Sequence, residues 1–263
     1  MFKAVIPARY ASTRLPGKPL LVMAGKSMLQ WVHERACAAQ ADEVVIATDD
    51  ERIAVCARTF GADVMLTAAT HTSGTDRVAE VARRRGWGEQ QIVVNVQGDE
   101  PLLPPPLIRQ AAELLAQFPL ADIATLAAPI ETLADFLNPN VVKVVADAQH
   151  RALYFSRAPI PWPRDGASAG LVSQTQWQGA RRHIGLYAYR VGALQRMASL
   201  PESALETTEQ LEQLRALAAG FDLRVADGVV PSGPDVNTTT DVERVSALLV
   251  AVGVAVPGAL SGR

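Results

Sequence analysis

Cysteine is nearly absent from this chain, with only Cys37 and Cys56 among 263 residues. Two isolated thiols in alanine-rich, helix-like surroundings make neither a disulfide framework nor a cysteine-based metal site. They suit a reducing cytosol and predict structural burial. An excess of one charge is missing too, since 25 Lys and Arg meet 27 Asp and Glu for a net charge of −2. Both signs are spread along the chain, with no basic arm, acidic tail or lysine-rich block, so neither nucleic acid nor a membrane is an expected partner. Any phosphate must be held by a few placed side chains. Long apolar runs are lacking: Val245–Val256 is apolar but too short to span a bilayer. Met1–Pro7 has one lysine and then reads as a strand, without the apolar stretch and cleavage signal of a secretory leader. Two phosphate motifs are also absent. No G-x-G-x-x-G follows a strand, which argues against a dinucleotide-dependent dehydrogenase. Gly25-Lys26-Ser27 resembles the end of a P-loop but has Leu20 where the earlier glycine must stand.

What is present is an ordinary globular composition, 49% hydrophobic and 20% charged. The length allows one large α/β domain or two small ones. Short apolar runs alternate with helix-like segments, the pattern of a mainly parallel sheet covered on both faces. In the first half, strands are expected at Phe2–Pro7, Glu43–Ala47, Asp63–Leu66 and Gln91–Val96. The last of these is a β-branched run, Ile92, Val93, Val94 and Val96, and belongs at the sheet centre. Helices are expected at Met28–Gln40, Glu51–Phe60, Asp76–Arg85 and Pro104–Phe118, the second and third ended by Gly61 and Gly86. In the second half, Ile123–Ala127, Val141–Val145, Leu153–Phe155, Gly185–Tyr189 and Leu223–Ala226 read as strands. Val191–Ala198, Glu206–Ala219 and Asp241–Val252 read as helices. Ala158–Gly179, with its prolines and glycines and no clear period, reads as an excursion from the sheet. Trp31, Trp87 and Trp177 are read as packing residues, and His33 and His150 as structural.

The sharpest local feature directly follows the first strand: Pro7-Ala8-Arg9-Tyr10-Ala11-Ser12-Thr13-Arg14-Leu15-Pro16-Gly17-Lys18-Pro19-Leu20. Open α/β sheets bind ligands outside the carboxyl ends of their strands. Arg9, Arg14 and Lys18 stand there among small residues that let a backbone approach a ligand. A triphosphate needs several donors and positive charges, so the chemistry fits, although three cations on a loop are usually just solvated. At the end of the fourth strand, Gln97-Gly98-Asp99-Glu100-Pro101 places a carboxylate just past a buried strand. Asp99 suits either a Mg²⁺ ligand or a turn cap.

The cation loop resembles the signature of sugar nucleotidyltransferases, and in detail the chain resembles the 3-deoxy-manno-octulosonate cytidylyltransferase (CMP-Kdo synthetase) family. The likeness continues through His71-Thr72-Ser73-Gly74-Thr75-Asp76-Arg77 and Asn95-Val96-Gln97-Gly98-Asp99-Glu100-Pro101. It then takes in Tyr154-Phe155-Ser156-Arg157-Ala158-Pro159-Ile160-Pro161-Trp162, Arg182-His183-Ile184-Gly185-Leu186-Tyr187 and Leu211-Glu212-Gln213-Leu214-Arg215. Several motifs in order are far more specific than any one.

The resemblance implies an α/β, three-layer Rossmann-like nucleotidyltransferase fold with a mixed, mostly parallel central sheet and a smaller irregular subdomain. It implies a single domain over 1–263, with a nucleotide-binding part at roughly 1–130 and sugar-binding and dimerisation elements at roughly 150–215. The implied reaction transfers CMP from CTP to an acidic eight-carbon sugar, 3-deoxy-manno-octulosonate, with Mg²⁺, for lipopolysaccharide synthesis, in a cytoplasmic homodimer. Ala8, Arg9, Ser12, Thr13, Arg14, Lys18, Ser73, Gly74, Arg77 and Gln97 would contact the nucleotide, with Arg14, Lys18 and Asp99 at the chemistry. Taken locally, Arg77 also suits a salt bridge at a helix start, a position that the helix dipole makes unfavourable for a cation. Gln97, Arg157, His183, Tyr187, Glu212 and Gln213 would bind the sugar acid. A lone histidine is more often structural; the family assigns His183 to the sugar. His183 and Tyr187 are four apart on an alternating segment and share a face. Glu212 and Gln213, as adjacent residues of one helix, would diverge.

One position departs from the family. A metal-binding aspartate is expected before Thr-x-x-Asp, and this chain has Asn237 in Pro234-Asp235-Val236-Asn237-Thr238-Thr239-Thr240-Asp241. Asparagine ligates through its carbonyl but brings no charge. In an extended segment Asp235 shares its face, so Asp99, Asp235 and Asn237 form the expected metal set. The alternatives are a cytidylyltransferase for a related acid sugar, such as 8-amino-Kdo or a sialic acid, and a non-catalytic nucleotide sensor.

Overall fold

The computed structural model describes residues 1–11 and 15–254. Strand β1 (Lys3–Ala8) sets the pattern: Ala4 and Ile6 are buried on one face and Val5 on the other, as period-two alternation requires. Beyond the loop that follows, a small hairpin, β2 (Val22–Met23) and β3 (Lys26–Ser27), turns at Ala24 and Gly25, both with positive φ. The P-loop-like residues thus form a hairpin. Helix α1 (Met28–Ala38) starts where Ser27 Oγ accepts a hydrogen bond from Gln30 N. There follow β4 (Glu43–Thr48), α2 (Glu51–Thr59), β5 (Asp63–Leu66), α3 (Gly74–Arg84), β6 (Ile92–Asn95) and α4 (Pro105–Gln117). The second half continues with β7 (Ile123–Pro129), α5 (Leu133–Leu137), β8 (Lys143–Ala146), β9 (Ala152–Ser156) and β10 (Arg181–Arg190). It ends with α6 (Val191–Ser199), α7 (Ala204–Glu209), α8 (Gln213–Ala218), β11 (Leu223–Asp227) and α9 (Thr239–Val254).

The main sheet runs β11-β7-β10-β6-β1-β4-β5, with β8 and β9 branching from β10. Along that path only β10 runs against its neighbours, pairing antiparallel with β6 and β7. The sheet is therefore mixed and mostly parallel, with β6 at its centre. One apolar layer packs Ile6, Ile46, Val94 and Leu126 against α1, α2 and α4. The other packs Val5, Val45, Val93 and Val225 against α3, α6 and α8. Each fully buried Val, Ile or Leu contributes about 1.5–3 kcal/mol relative to exposure, and these two layers fix the strand ends on which the site is built. Among the described residues no helix is long and apolar enough to cross a membrane.

Three expectations need correction. The single helix expected over Glu206–Ala219 is two, α7 and α8, broken at Gln210, which has φ 52°. Ser156 Oγ and Arg157 N both donate to the Glu209 carboxylate at 2.6 and 2.9 Å, and these tertiary bonds override helix propensity at the junction. Strand β10 starts at Arg181, earlier than apolar alternation suggests, because its first residues are polar. Cys37 is exposed rather than buried, lying on the outer side of α1 with its sulfur 3.6 Å from His33 Nε2. The tryptophans do pack: Trp31 donates to Met23 O at 2.7 Å under α9, while Trp87 and Trp177 lie against apolar clusters.

Candidate functional site

Strands β1 and β6 are parallel neighbours, so their carboxyl ends emerge side by side. Beyond them the chain comes into backbone contact, because a Cβ at Gly98 would stand 2.9 Å from Pro7 O. No residue but glycine fits that crossing without a shift. It brings the loop after β1 against the loop after β6, where Lys18 Nζ and Asp99 Oδ2 form an ion pair at 2.7 Å. Val236 N donates to Asp99 O at 3.0 Å, drawing the segment before α9 to the same place.

A cavity of about 330 Å³ opens there. Ala8, Arg9 and Lys18 form one wall, and Ser73, Gly74 and Arg77 from the start of α3 another. Gln97, Asp99 and Asn237 complete it. Of the residues expected at the nucleotide, only Ser12, Thr13 and Arg14 lie outside the described residues. Arg77 is 3% exposed, paired to Asp49 Oδ2 at 2.9 Å and bonded to Thr67 Oγ1 at 2.6 Å. It is both salt-bridged and part of the cavity wall. His71 also lines the cavity, with its Nε2 2.6 Å from Glu80 Oε2. Burial by itself would raise the Glu80 carboxyl, but hydrogen bonds from Ala68 N, His71 and Arg84 outweigh it and hold the carboxyl at about 2.

A second cavity of about 320 Å³ shares Gln97 and Asp99 with the first. Strand β10 supplies His183, Tyr187 and Tyr189. Its pairing with β7 skips two residues between Ile184 and Tyr187, and an insertion of two preserves the alternation. His183 and Tyr187 therefore do share a face, with ring centroids 5.2 Å apart. Gln97 Nε2 reaches Gly185 O in this bulge at 3.4 Å. Burial depresses the His183 pKa to about 3, so the ring is neutral near pH 7. Thr125 has one hydroxyl proton and directs it at the carbonyls of Ile184 and Leu186. Its 2.9 Å contact with His183 Nε2 then requires the proton on that nitrogen.

Glu212 and Gln213 also line this cavity. They do not diverge as residues within one helix would, because the break at Gln210 puts both at the start of α8. Glu212 Oε2 accepts from Thr75 Oγ1 at 2.8 Å, and its Oε1 is buried without a partner. Burial pushes the Glu212 carboxyl above its ordinary value.

Two expected residues stand apart. Arg157 lines neither cavity: its guanidinium donates to the carbonyls of Glu209, Pro139 and Gln210, which places it as a brace behind the α7–α8 turn. Asp235 is on the same side of its segment as Asn237, from whose amide it accepts a hydrogen bond, but only Asn237 reaches the cavity wall.

Of the carboxylates nearby, Asp99 is paired with Lys18, while Glu100 has no ion-pair partner among the described residues. Burial first, then the charges of Asp99 and Asp235, push the Glu100 carboxyl up to about 8 against the opposing Arg182. A cation would relieve that potential. Among the described residues no cluster of three His, Cys, Asp or Glu side chains is arranged to hold a metal. Asp99 and the Asn237 carbonyl alone make a sparse set, which suits Mg²⁺ because that ion keeps water and substrate phosphate oxygens among its ligands.

Sequence reasoning gave no role to His71, Gly98 or Tyr189. Tyr189 is one period-two step beyond Tyr187 and was legible by extending the count. His71 and Gly98 sit inside recognised motifs, but their partners, Glu80 and Pro7 O, are set by tertiary structure.

The family model described as cytidylyltransferase matches residues 3–224. A 3-deoxy-manno-octulosonate cytidylyltransferase of Thioalkalivibrio sulfidiphilus is 57% identical over 94% of this chain and 98% of its own length. The protein of the same name from Cellvibrio japonicus is 55% identical over 94% and 98%. Among solved structures, one described as CMP:2-keto-3-deoxy-manno-octonic acid synthetase complexed with CTP is 41% identical. It covers 96% of this chain and 100% of its own, with a TM-score of 0.85.

Proposed function

Since the chain belongs to the 3-deoxy-manno-octulosonate cytidylyltransferase family, we propose that its two cavities bring CTP and an acidic eight-carbon sugar together for transfer of CMP. The enzyme moves CMP from CTP to 3-deoxy-manno-octulosonate and releases pyrophosphate. The observation that carries this reading is the shared wall: Gln97 and Asp99 line both cavities, so ligands in the two meet at the end of β6.

The first cavity takes the nucleotide. Lys18 and Arg9, with Arg14, neutralise the triphosphate. Ala8, Ser73 and Gly74 offer a close backbone approach, and Arg77 gives a fixed positive wall. The second cavity takes the sugar acid. There His183, Tyr187, Glu212 and Gln213 can pair with hydroxyls and carboxylate, and Gln97 stands between the partners. The anomeric hydroxyl attacks the α-phosphate in line, and most of the rate comes from positioning and charge neutralisation. Mg²⁺ held by Asp99 and Asn237, with Asp235 behind, would supply charge neutralisation at the phosphates. No buried base is required of His183, whose low pKa and committed Nε2 proton suit it to hydrogen bonding.

A cytosolic homodimer fits the same reading. The excursion at 158–179 exposes Trp162, Leu171 and Val172, apolar side chains that a second copy would cover.

The test is pyrophosphate release with CTP and Mg²⁺ across a panel of sugar acids. Release with 3-deoxy-manno-octulosonate well above that with sialic acid or 8-amino-Kdo supports the reading. Equal or greater release with another acid reassigns the sugar, and no release with any points to a nucleotide sensor.

A further inference from the structure

The first turn of α3 stands between the two cavities. Ser73 and Gly74 line the nucleotide side. Thr75 is 2% exposed and turns its hydroxyl the other way, donating to Glu212 Oε2 at 2.8 Å. A threonine hydroxyl carries one proton and can also accept. That single proton is committed to Glu212, so the Thr75 hydroxyl meets the carboxylate as a donor. This bond links the first turn of α3 to the start of α8.

The bond ends at the second cavity. Glu212 Oε2 is occupied by Thr75, and Oε1 is left buried and unpartnered. An unsatisfied buried acceptor is unfavourable, and a ligand hydroxyl donating to it would remove the deficit. Ser73 also reaches Glu212: its Oγ accepts from Asp76 N at 3.1 Å and keeps its own proton to donate, so it acts on the carboxylate beside Thr75. Thr75 supplies the 2.8 Å bond that engages Oε2 and leaves Oε1 for a ligand.

We propose that Thr75 is a positioning residue for the sugar acid, holding the Glu212 carboxylate so that its free oxygen meets a sugar hydroxyl. This rests on the second cavity being the sugar site. Because Thr75 and the nucleotide wall share one helical turn, the device also ties the sugar wall to the nucleotide wall.

The test is steady-state kinetics on the full chain with CTP and 3-deoxy-manno-octulosonate, read by pyrophosphate release. Thr75→Val keeps the shape and removes the hydroxyl; Thr75→Ser keeps the hydroxyl. The expected result is a sugar KM raised about tenfold in Thr75→Val, with KM for CTP and kcat within about twofold, and Thr75→Ser close to wild type. A merely structural role would not give the second expected result. In a Glu212→Gln background, adding Thr75→Val should change the sugar KM by less than about threefold, since the group it acts through is already altered.

An unchanged sugar KM in Thr75→Val, equal rises in both KM values, or full additivity with Glu212→Gln would each overturn the proposal. If Thr75→Val does not fold, Thr75→Ala carries the test. A selective rise in sugar KM supports the positioning role, and none overturns it. A wild type silent with every sugar acid would overturn the functional reading and this proposal with it. A working wild type beside an indifferent Thr75→Val overturns this proposal alone.

Discussion

Lys18 Nζ lies 2.7 Å from Asp99 Oδ2, so the cation expected at the phosphates and the carboxylate expected at the metal neutralise each other across the cavity mouth. Each keeps the other in place until substrate charges arrive. The pair is partly solvated and stabilises the fold by about 0–1 kcal/mol, so its purpose is poise rather than stability. Lys18→Met should lower kcat/KM by about a hundredfold while shifting the denaturation midpoint little. Turnover within fivefold of wild type would remove Lys18 from the machinery.

Asn237 carries a prediction of the opposite sign. In Asn237→Asp, the hydrogen bond that the amide now donates to Asp235 becomes a meeting of two carboxylates. Without divalent cation the variant should melt earlier than wild type, and Mg²⁺ should restore it by neutralising the pair. The Mg²⁺ concentration giving half-maximal turnover should fall about tenfold. If neither melting nor Mg²⁺ dependence changes, position 237 is not part of the metal site.

The Glu80 carboxyl predicts a pH effect separable from catalysis. Its pKa falls from an ordinary 4.5 to about 2 in the folded protein. The unfolded chain therefore binds more protons between those values, and stability is lost as pH falls from about 4.5 towards 2. Glu80→Gln should lose on the order of 2 kcal/mol near pH 6.5, after allowance for solvent screening. The gap between variant and wild type should narrow in urea melts near pH 3. A gap that is constant with pH would mean that the hydrogen bonds from Ala68, His71 and Arg84 do not hold the carboxyl down.

Much of this architecture was legible in the chain because periodicity and punctuation report local facts. The β-branched run at Gln91–Val96 marked the central strand, and Gly61 and Gly86 marked real helix ends, both with positive φ. What was illegible depended on distant partners. The break at Gln210 is imposed by Ser156 and Arg157 acting on Glu209, more than fifty positions away in the chain. Arg157 looked like a ligand for an acid, yet three backbone carbonyls take its guanidinium. Arg77 looked equally suited to a salt bridge and a cavity wall, and it is both. The alternation that put His183 and Tyr187 on one face survived a bulge only because that bulge adds two residues rather than one.

The reversed strand β10 has a consequence for how sugar preference can change. Running against β6, it delivers its opening residues, His183 among them, to the edge where the parallel strands β1 and β6 finish. The residues that meet the sugar and those that meet the nucleotide thus reach one meeting point from opposite chain directions. Along β10 the cavity-facing positions alternate with Ile184, Leu186 and Ala188, which belong to the opposite core layer. Recognition and packing are interleaved on one strand, and at Tyr187 and Tyr189 one side chain serves both, lining the cavity and packing on the α3, α6 and α8 layer. A new acid sugar can in principle be accommodated by rewriting His183 first, since replacements at Tyr187 and Tyr189 must also keep their core layer filled, while the even-numbered positions keep the sheet and the CTP cradle as they are.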